Sequence, residues 1–135
     1  MATPLVGGGS WRAGTVAHMA TLWLRAIEDD GRTVDDPTEV TLHDLLADMN
    51  LRHRFVILER LDREPLDQHY IQAYLNDDMS YQVEYREGGA DRHFGAHVPR
   101  PHELTGPEPV AKVMIDWAHD RQGWREALPW VRMHL

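Results

Sequence analysis

The stretch HYIQAYLNDDMSYQVEYREGGADRHFGAHV, residues 69–98, decides the fold of this 135-residue chain. Large apolar residues alternate with polar ones over residues 80–86, the period of two that is typical of a strand with one buried face. The pair Gly88-Gly89 follows and suits a two-residue turn whose central positions both need a positive φ. We therefore predict a hairpin in which Tyr85 opposes Arg92, Val83 opposes Phe94 and Tyr81 opposes Ala96.

This hairpin has one apolar and one charged face. The apolar face carries Tyr81, Val83, Phe94 and Ala96, and the outer face pairs Arg86 with Asp91 and Glu84 with His93. A slip of one residue would turn the apolar set of one strand outward, so the register and the pattern support each other.

The preceding hairpin, residues 69–79, admits two registers. A two-residue turn at Asp77-Asp78 would set Tyr74 against Tyr81 and Gln72 against Val83. A three-residue loop gives one continuous apolar face, so we favour it; it aligns Ile71, Ala73 and Leu75 with Tyr85, Val83 and Tyr81. This loop places Met79 in the left-handed region, where Met79→Gly should stabilise the protein by about 1 kcal/mol.

The residues before this stretch predict two strands, a helix and a third strand. The strands cover residues 21–28, 32–34 and 54–60, and the last is apolar on both faces, as in the middle of a sheet. Thr41 begins a pattern that resembles a capping box, and Asn50 is a plausible helix end. The apolar face of this helix carries Leu42, Leu45, Leu46 and Met49.

The residues after this stretch predict a second helix and a returning tail. The helix begins near Pro107, stops by Gly123 and has an apolar stripe of Val110, Val113, Met114, Trp117 and Ala118. Residues 124–130 should fold back onto the domain, because two exposed tryptophans would promote aggregation. We predict one α+β domain over residues 19–135, after a flexible tail over residues 1–18. It has a mostly antiparallel sheet of five or six strands, with two amphipathic helices on one face.

Composition excludes several classes of function. The formal charge of −8 and the lack of a visible basic patch argue against nucleic-acid binding. A net negative surface steers cationic proteins, so a basic partner is one interpretation of the charge; the other, which we prefer, is that acidity simply keeps the protein in solution. No apolar run approaches a membrane span, and no secretory signal is visible. The absence of cysteine excludes disulfides and thiolate chemistry and fits the cytoplasm, which we take as the expected location.

No catalytic or cofactor motif stands out, and we predict no catalytic residue, no bound metal and no cofactor. His93 and His97 share a strand face but lie roughly 13 Å apart at the standard rise, too far to hold one ion. Asp116, His119 and Asp120 could ligate a metal from the last helix, yet they lie opposite its apolar stripe, as a solvated face does. Neither serine lies in a glycine-flanked elbow.

A resemblance to a known group rests on three segments: FVILER at residues 55–60, YQVEYREGG at 81–89 and RHF at 92–94. These look like segments of small uncharacterised actinobacterial proteins, which are loosely similar to immunity proteins of bacterial polymorphic toxin systems. The similarity covers about residues 41–130 and its motifs are structural. It implies a non-enzymatic protein that binds and neutralises a cognate toxin, and it carries no functional residues over.

Two hypotheses of function follow. The first is a non-catalytic protein-binding module, immunity-like or adaptor-like. Its protein partner is basic under one interpretation of the negative net charge. Its exposed patch would comprise Glu84, Arg86, Asp91, Arg92, His93 and His97. The second is a small metal- or ligand-dependent enzyme whose site lies near the loop at residues 99–106, with His97, His102 and either Asp67 or His69.

Overall fold

One antiparallel sheet of seven strands, with helices on one face, forms the architecture of the computed structural model, which describes residues 23–101 and 106–135. The strands are β1 (Leu24–Glu28), β2 (Thr33–Asp35), β3 (Phe55–Arg60), β4 (His69–Leu75), β5 (Tyr81–Glu87), β6 (His93–Val98) and β7 (Val131–Arg132), in the order β2-β1-β3-β4-β5-β6-β7. The helices are α1 (Glu39–Ala47), α2 (Glu108–Ala118) and α3 (Trp124–Ala127).

The predicted α+β class is confirmed, with more strands than the five or six expected. The additional pairing is that of β7, whose two residues are too few to show any periodicity. β3 lies inside the sheet between β1 and β4, as its apolar run predicted. The predicted tail at residues 1–18 and the start of the predicted strand at residue 21 lie outside the described residues.

The hairpin of β4 and β5 has the predicted register. Ile71, Ala73 and Leu75 lie opposite Tyr85, Val83 and Tyr81. Asn76 closes the three-residue loop by donating its backbone N–H to the carbonyl oxygen of Ser80, at 2.9 Å. Met79 adopts a φ of +69°, in the left-handed region, as this loop requires. Its side chain is half-buried and packs against the core.

The predicted two-residue turn between β5 and β6 is wrong, and the register differs by two residues. Tyr85 lies opposite Phe94, Val83 opposite Ala96 and Tyr81 opposite Val98. Of the two glycines of the predicted turn, only Gly88 has a left-handed φ, of +102°. A 3-10 turn over Ala90–Arg92 completes the longer loop. Because the side-chain period is two, a shift of two residues leaves every side chain on its predicted face.

The core lies between the inner face of the sheet and the two longer helices. The stripes of both helices pack there as predicted: Leu42, Leu46 and all five stripe residues of α2 are buried, and Leu45 and Met49 lie partly buried at its edge. The tail folds back as predicted, because Trp124 and Trp130 contact the Tyr85 ring edge-on at 4.9 and 4.7 Å between centroids. Phe94 stacks on the same ring at 4.9 Å.

Both ends of α1 differ from the prediction. The helix begins at Glu39, and the Thr38 hydroxyl caps it by accepting the backbone N–H of Thr41 at 3.1 Å. The helix ends at Ala47 and is followed by Asp48, before the predicted end at Asn50.

The predicted solvated face of α2 is also corrected. Asp116 is buried, at 5% exposure, and it accepts a hydrogen bond from Lys112 Nζ at 2.9 Å. The helix ends at Ala118, so His119 and Asp120 lie beyond it and are exposed; Gly123 instead precedes α3, with a φ of +97°. Arg121, which follows α2 in the chain, also pairs with this carboxylate, with Nη1 3.7 Å from Asp116 Oδ1.

Replacement of Met79 tests the conformation of the β4–β5 loop. Because the side chain packs on the core, Met79→Gly is best compared with Met79→Ala, which loses the same contacts but keeps a Cβ atom. We expect the glycine variant to be more stable than the alanine variant by about 1 kcal/mol, the steric penalty of a left-handed φ. Urea denaturation of both variants measures this difference, and equal stabilities would contradict the conformation assigned to Met79.

Candidate functional site

The face of the sheet that points away from the helices is the first candidate for a functional surface. We call it the outer face; along β3, β4 and β5 its side chains alternate with the buried ones. No helix of the described residues contributes to it, since the buried residues of α1, α2 and α3 pack with the inner-face side chains. Its central members are Phe55, Ile57, Glu59, Tyr70, Gln72, Tyr74, Gln82, Glu84 and Arg86, all half-buried.

A hydrogen-bonded group of three side chains lies on this face at β5 and β6. Arg86 Nε donates to His93 Nδ1 at 3.0 Å, so the imidazole proton lies on Nε2. Nε2 then donates to Glu84 Oε1 at 2.7 Å. The ring of Tyr70 meets His93 edge-on at 6.0 Å and lies 5.7 Å below the Arg86 guanidinium carbon. These contacts hold Glu84 and Arg86 in fixed orientations.

The structure brings together three of the six residues predicted to form an exposed patch. Glu84, Arg86 and His93 are adjacent, but His93 is buried, at 3% exposure, which corrects its assignment to an exposed surface. Asp91 and Arg92 are exposed on the loop that follows β5.

His97, the sixth residue, is also exposed and lies apart from the first three. It is four residues beyond His93 on β6, roughly 13 Å along the strand at the standard rise. The predicted cross-strand pairing of Glu84 with His93 is wrong, because Gly95 lies directly opposite Glu84; the two side chains nevertheless make the 2.7 Å hydrogen bond diagonally across the strands.

The histidine arrangement of the enzyme hypothesis is not assembled in the described residues. His69 lies opposite Glu87 and His97 opposite Gln82, so roughly 17 Å of β5 separates their positions at the standard rise. His69 Nε2 is engaged by the carbonyl oxygen of Glu64 at 2.9 Å. His102 lies outside the described residues. Within residues 23–101 and 106–135, no three metal-ligating side chains are placed to hold one ion.

Glu59 is a residue of the outer face that the sequence reasoning missed. It lies between Arg25 and Tyr70 in neighbouring strands, but Arg25 Nε donates to Asp35 instead, at 2.9 Å. Burial raises the pKa of the Glu59 carboxyl group, the negative charge of Asp67 raises it further, and Arg25 opposes both. No ion pair within the described residues compensates this carboxylate. The signal available in the sequence was a charged residue at an outer position of an apolar strand.

Similarity to known proteins adds no assignment to this geometry. Comparisons of the chain with protein-family models, with curated proteins and with solved structures found no match. None of the helices in the described part of the chain is long and apolar enough to span a membrane. The function is therefore inferred from the surface itself.

The cost of the Glu59 charge can be measured by Glu59→Gln. A carboxyl group whose pKa is higher in the folded protein destabilises the fold when ionised, and this effect disappears below the unfolded pKa. We therefore expect the variant to be more stable than the wild type at neutral pH and the two to converge below the ordinary value of 4.5. Urea denaturation across this range tests it, with Glu64→Gln on an exposed loop as the control. A variant less stable than wild type at neutral pH would contradict the burial argument.

The histidine network predicts a contrast between two substitutions on β6. His93→Phe keeps an aromatic ring but leaves Glu84 and Arg86 without their shared partner, so it should lower the free energy of unfolding by about 1–3 kcal/mol. His97→Phe, at an exposed position on the same face, should change it by less than about 0.5 kcal/mol. Equal effects in chemical denaturation would show that the hydrogen bonds of His93 contribute no stability.

Proposed function

We propose that the protein is a non-catalytic protein-binding module of the immunity type, which binds a basic protein partner through the outer face. The observation that carries this proposal is a sheet face without a covering helix in the described residues, on which Glu59 has no ion-pair partner. Tyrosine, phenylalanine and arginine are enriched in protein interfaces. On this face Phe55 lies opposite Tyr74, and Tyr70 lies opposite Arg86 four residues away along β4.

The dimensions of the outer face fit part of a protein interface. Five neighbouring strands, from β1 to β6, span about 24 Å across and about 20 Å along the strands, an area of roughly 500 Å². A standard interface buries about 800 Å² on each partner, so the loops at the rim must also take part. Asp91 and Arg92 are exposed on the loop after β5 and form part of this rim. Both therefore remain in the proposed binding site.

Electrostatics favours a basic partner. The net charge of −8 accelerates encounters with cationic proteins, and this effect is sensitive to salt. A lysine or arginine from the partner would add positive charge beside Glu59, which forms no ion pair within the described residues and is opposed only at a distance by Arg25. The ionised Glu59 would then be favoured in the complex, although burial disfavours it in the free protein. A residue that lowers stability and improves binding is typical of functional surfaces.

The immunity assignment adds a mode of action. A bound module can neutralise a toxin by covering its active site, which needs shape and charge complementarity and no catalytic group. The loose resemblance in pattern noted for residues 41–130 motivates this assignment, and the lack of cysteine fits a cytoplasmic location. The alternative enzyme with His97, His102 and Asp67 or His69 is favoured by no contact within the described residues.

The test is capture of the partner with variants of matched charge. Tagged wild-type protein is incubated with lysate of the native host at low and moderate salt, and bound proteins are identified and quantified by mass spectrometry. We expect the wild type to capture one basic protein in stoichiometric amount. The double variant Glu59→Lys, Tyr74→Ala should lose this protein. The control Glu64→Lys, which changes the net charge by the same amount as Glu59→Lys, should retain it. Circular dichroism of each variant checks that it remains folded.

Two results would overturn the proposal. If the folded double variant retained the partner as well as the wild type does, the outer face would not be the binding surface. Recovery of the bait alone, at both salt concentrations, would argue against a protein-binding module, and elemental analysis for metal would then test the enzyme alternative.

A further inference from the structure

A cleft of about 340 Å³ lies at the end of the sheet where β4 begins and β5 ends. The segment that follows α2, from Asp120 to Glu126, forms its other side. The indole rings of Trp117 and Trp124, which belong to the core, contribute an apolar wall. Its volume is at the lower end of the range for small-molecule sites.

Arginine dominates the polar lining of this cleft. Five of the chain's arginines, Arg60, Arg63, Arg86, Arg121 and Arg125, line it, against the three carboxylates Glu87, Asp120 and Glu126. Within the lining itself the arginines therefore outnumber the carboxylates, although Asp62 and Glu39 pair with Arg60 and Arg121 from just outside it. Such an excess within a cleft attracts and concentrates anions.

Several of these guanidinium groups share their carboxylate partners. Asp120 accepts hydrogen bonds from Arg60 Nη1 and from Arg63 Nη2, all at 3.1 Å. Glu87 binds Arg125 through two bonds of 2.7 and 3.1 Å, and Arg92 lies 3.5 Å from it. Since a guanidinium group has five N–H donors, sharing leaves donors available on Arg63.

Arg86 and Arg121 differ in how they are held. Arg86 bonds to the neutral side chains of Gln68 and His93, and no carboxylate of the described residues lies within ion-pair distance of it. Arg121 is held by Glu39 at 2.9 Å, and Arg60 by Asp62, from outside the cleft lining. These contacts orient the guanidinium groups before any ligand arrives, which lowers the entropic cost of binding.

Arg125 contacts both the charged and the apolar parts of the cleft lining. Its guanidinium carbon lies 4.4 Å from the centre of the Trp124 ring and the group also pairs with Glu87. The Arg125 guanidinium therefore lies over the Trp124 ring, and only the small accessible parts of Trp117 and Trp124 supply apolar contacts to the cleft. Guanidinium groups match the oxygens of phosphate and carboxylate groups in pairs, and the indoles favour an apolar or aromatic body.

We infer that this cleft binds a small organic oxyanion, a phosphate monoester or a carboxylate with an apolar body, between the arginines and the tryptophan wall. The site is separate from the proposed interface on the outer face, and only Arg86 belongs to both surfaces. A ligand would be held by Arg63, Arg121 and Arg125, and it would bind whether or not a protein partner is present.

The test is calorimetric titration of the purified protein with inorganic phosphate, phenyl phosphate and benzoate, in a zwitterionic buffer at constant ionic strength. The variant is Arg63→Gln, Arg121→Gln, at two positions whose side chains are 42% and 48% exposed, so that the fold is preserved. The control is Arg52→Gln, which removes a charge at the opposite end of β3. We expect saturable binding of phenyl phosphate or benzoate, weakened about tenfold or more in the double variant, because charge-assisted hydrogen bonds are lost.

Each result decides the proposal. Tighter binding of phenyl phosphate than of inorganic phosphate identifies a phosphate monoester with an apolar body, and tighter binding of benzoate identifies a carboxylate. Equal weakening in the Arg52 control would show unspecific charge attraction and overturn the site. Absence of saturable binding for all three probes would overturn it as well, and neither result would affect the test of the outer face.

Discussion

The two-residue side-chain period of the five longer strands is the constraint on which the rest of this structure depends. Tyr85, Val83 and Tyr81 on β5 point to the same face as their neighbours in β4 and β6, so a single apolar layer forms across the sheet. α1 and α2 cover that layer, and Tyr85 also anchors the C-terminal tryptophans. Most polar residues of these strands are thereby directed to the opposite face, where no helix of the described residues packs. Glu28 and Arg60, at the ends of β1 and β3, are exceptions and are buried on the inner face.

Stability and binding place opposite demands on that outer face. His93, Glu84 and Arg86 satisfy one another through hydrogen bonds, and a satisfied buried network fixes its members in one arrangement. Glu59 has no such compensation, since its cross-strand neighbour Arg25 is engaged by Asp35. A half-buried carboxylate whose pKa burial raises, on a sheet face that no described helix covers, is the physical basis of the proposed function. The cleft at the end of the sheet, where β4 begins and β5 ends, relies on the reverse arrangement, with arginines held in place by shared carboxylates.

The contrast between the two hairpins shows which strand pairings local sequence patterns predict and which they do not. In the β4–β5 hairpin, the loop length follows from the apolar pairing, and Met79 accepts the left-handed conformation that this pairing imposes. In the β5–β6 hairpin, Gly88-Gly89 permits a tight turn, but the chain uses a longer loop and pairs Tyr85 with Phe94. That pairing stacks the two rings, and Trp124 and Trp130, which lie thirty or more residues further along the chain, contact Tyr85 edge-on. Distant packing therefore outweighed the local turn preference.

The amino-acid sequence by itself determined the strands and their faces, the register of the β4–β5 hairpin, the apolar stripe of α2 and the return of the tail. These follow from periodicity and from the placement of apolar residues, which are local properties. Only the tertiary structure decided that His93 and Asp116 are buried, that Glu59 lacks a partner within the described residues, and that arginines from position 60 to position 125 line one cleft. Burial and ion pairing depend on which segments, distant in the sequence, pack against one another. The spacing of residues along the chain does not specify that packing.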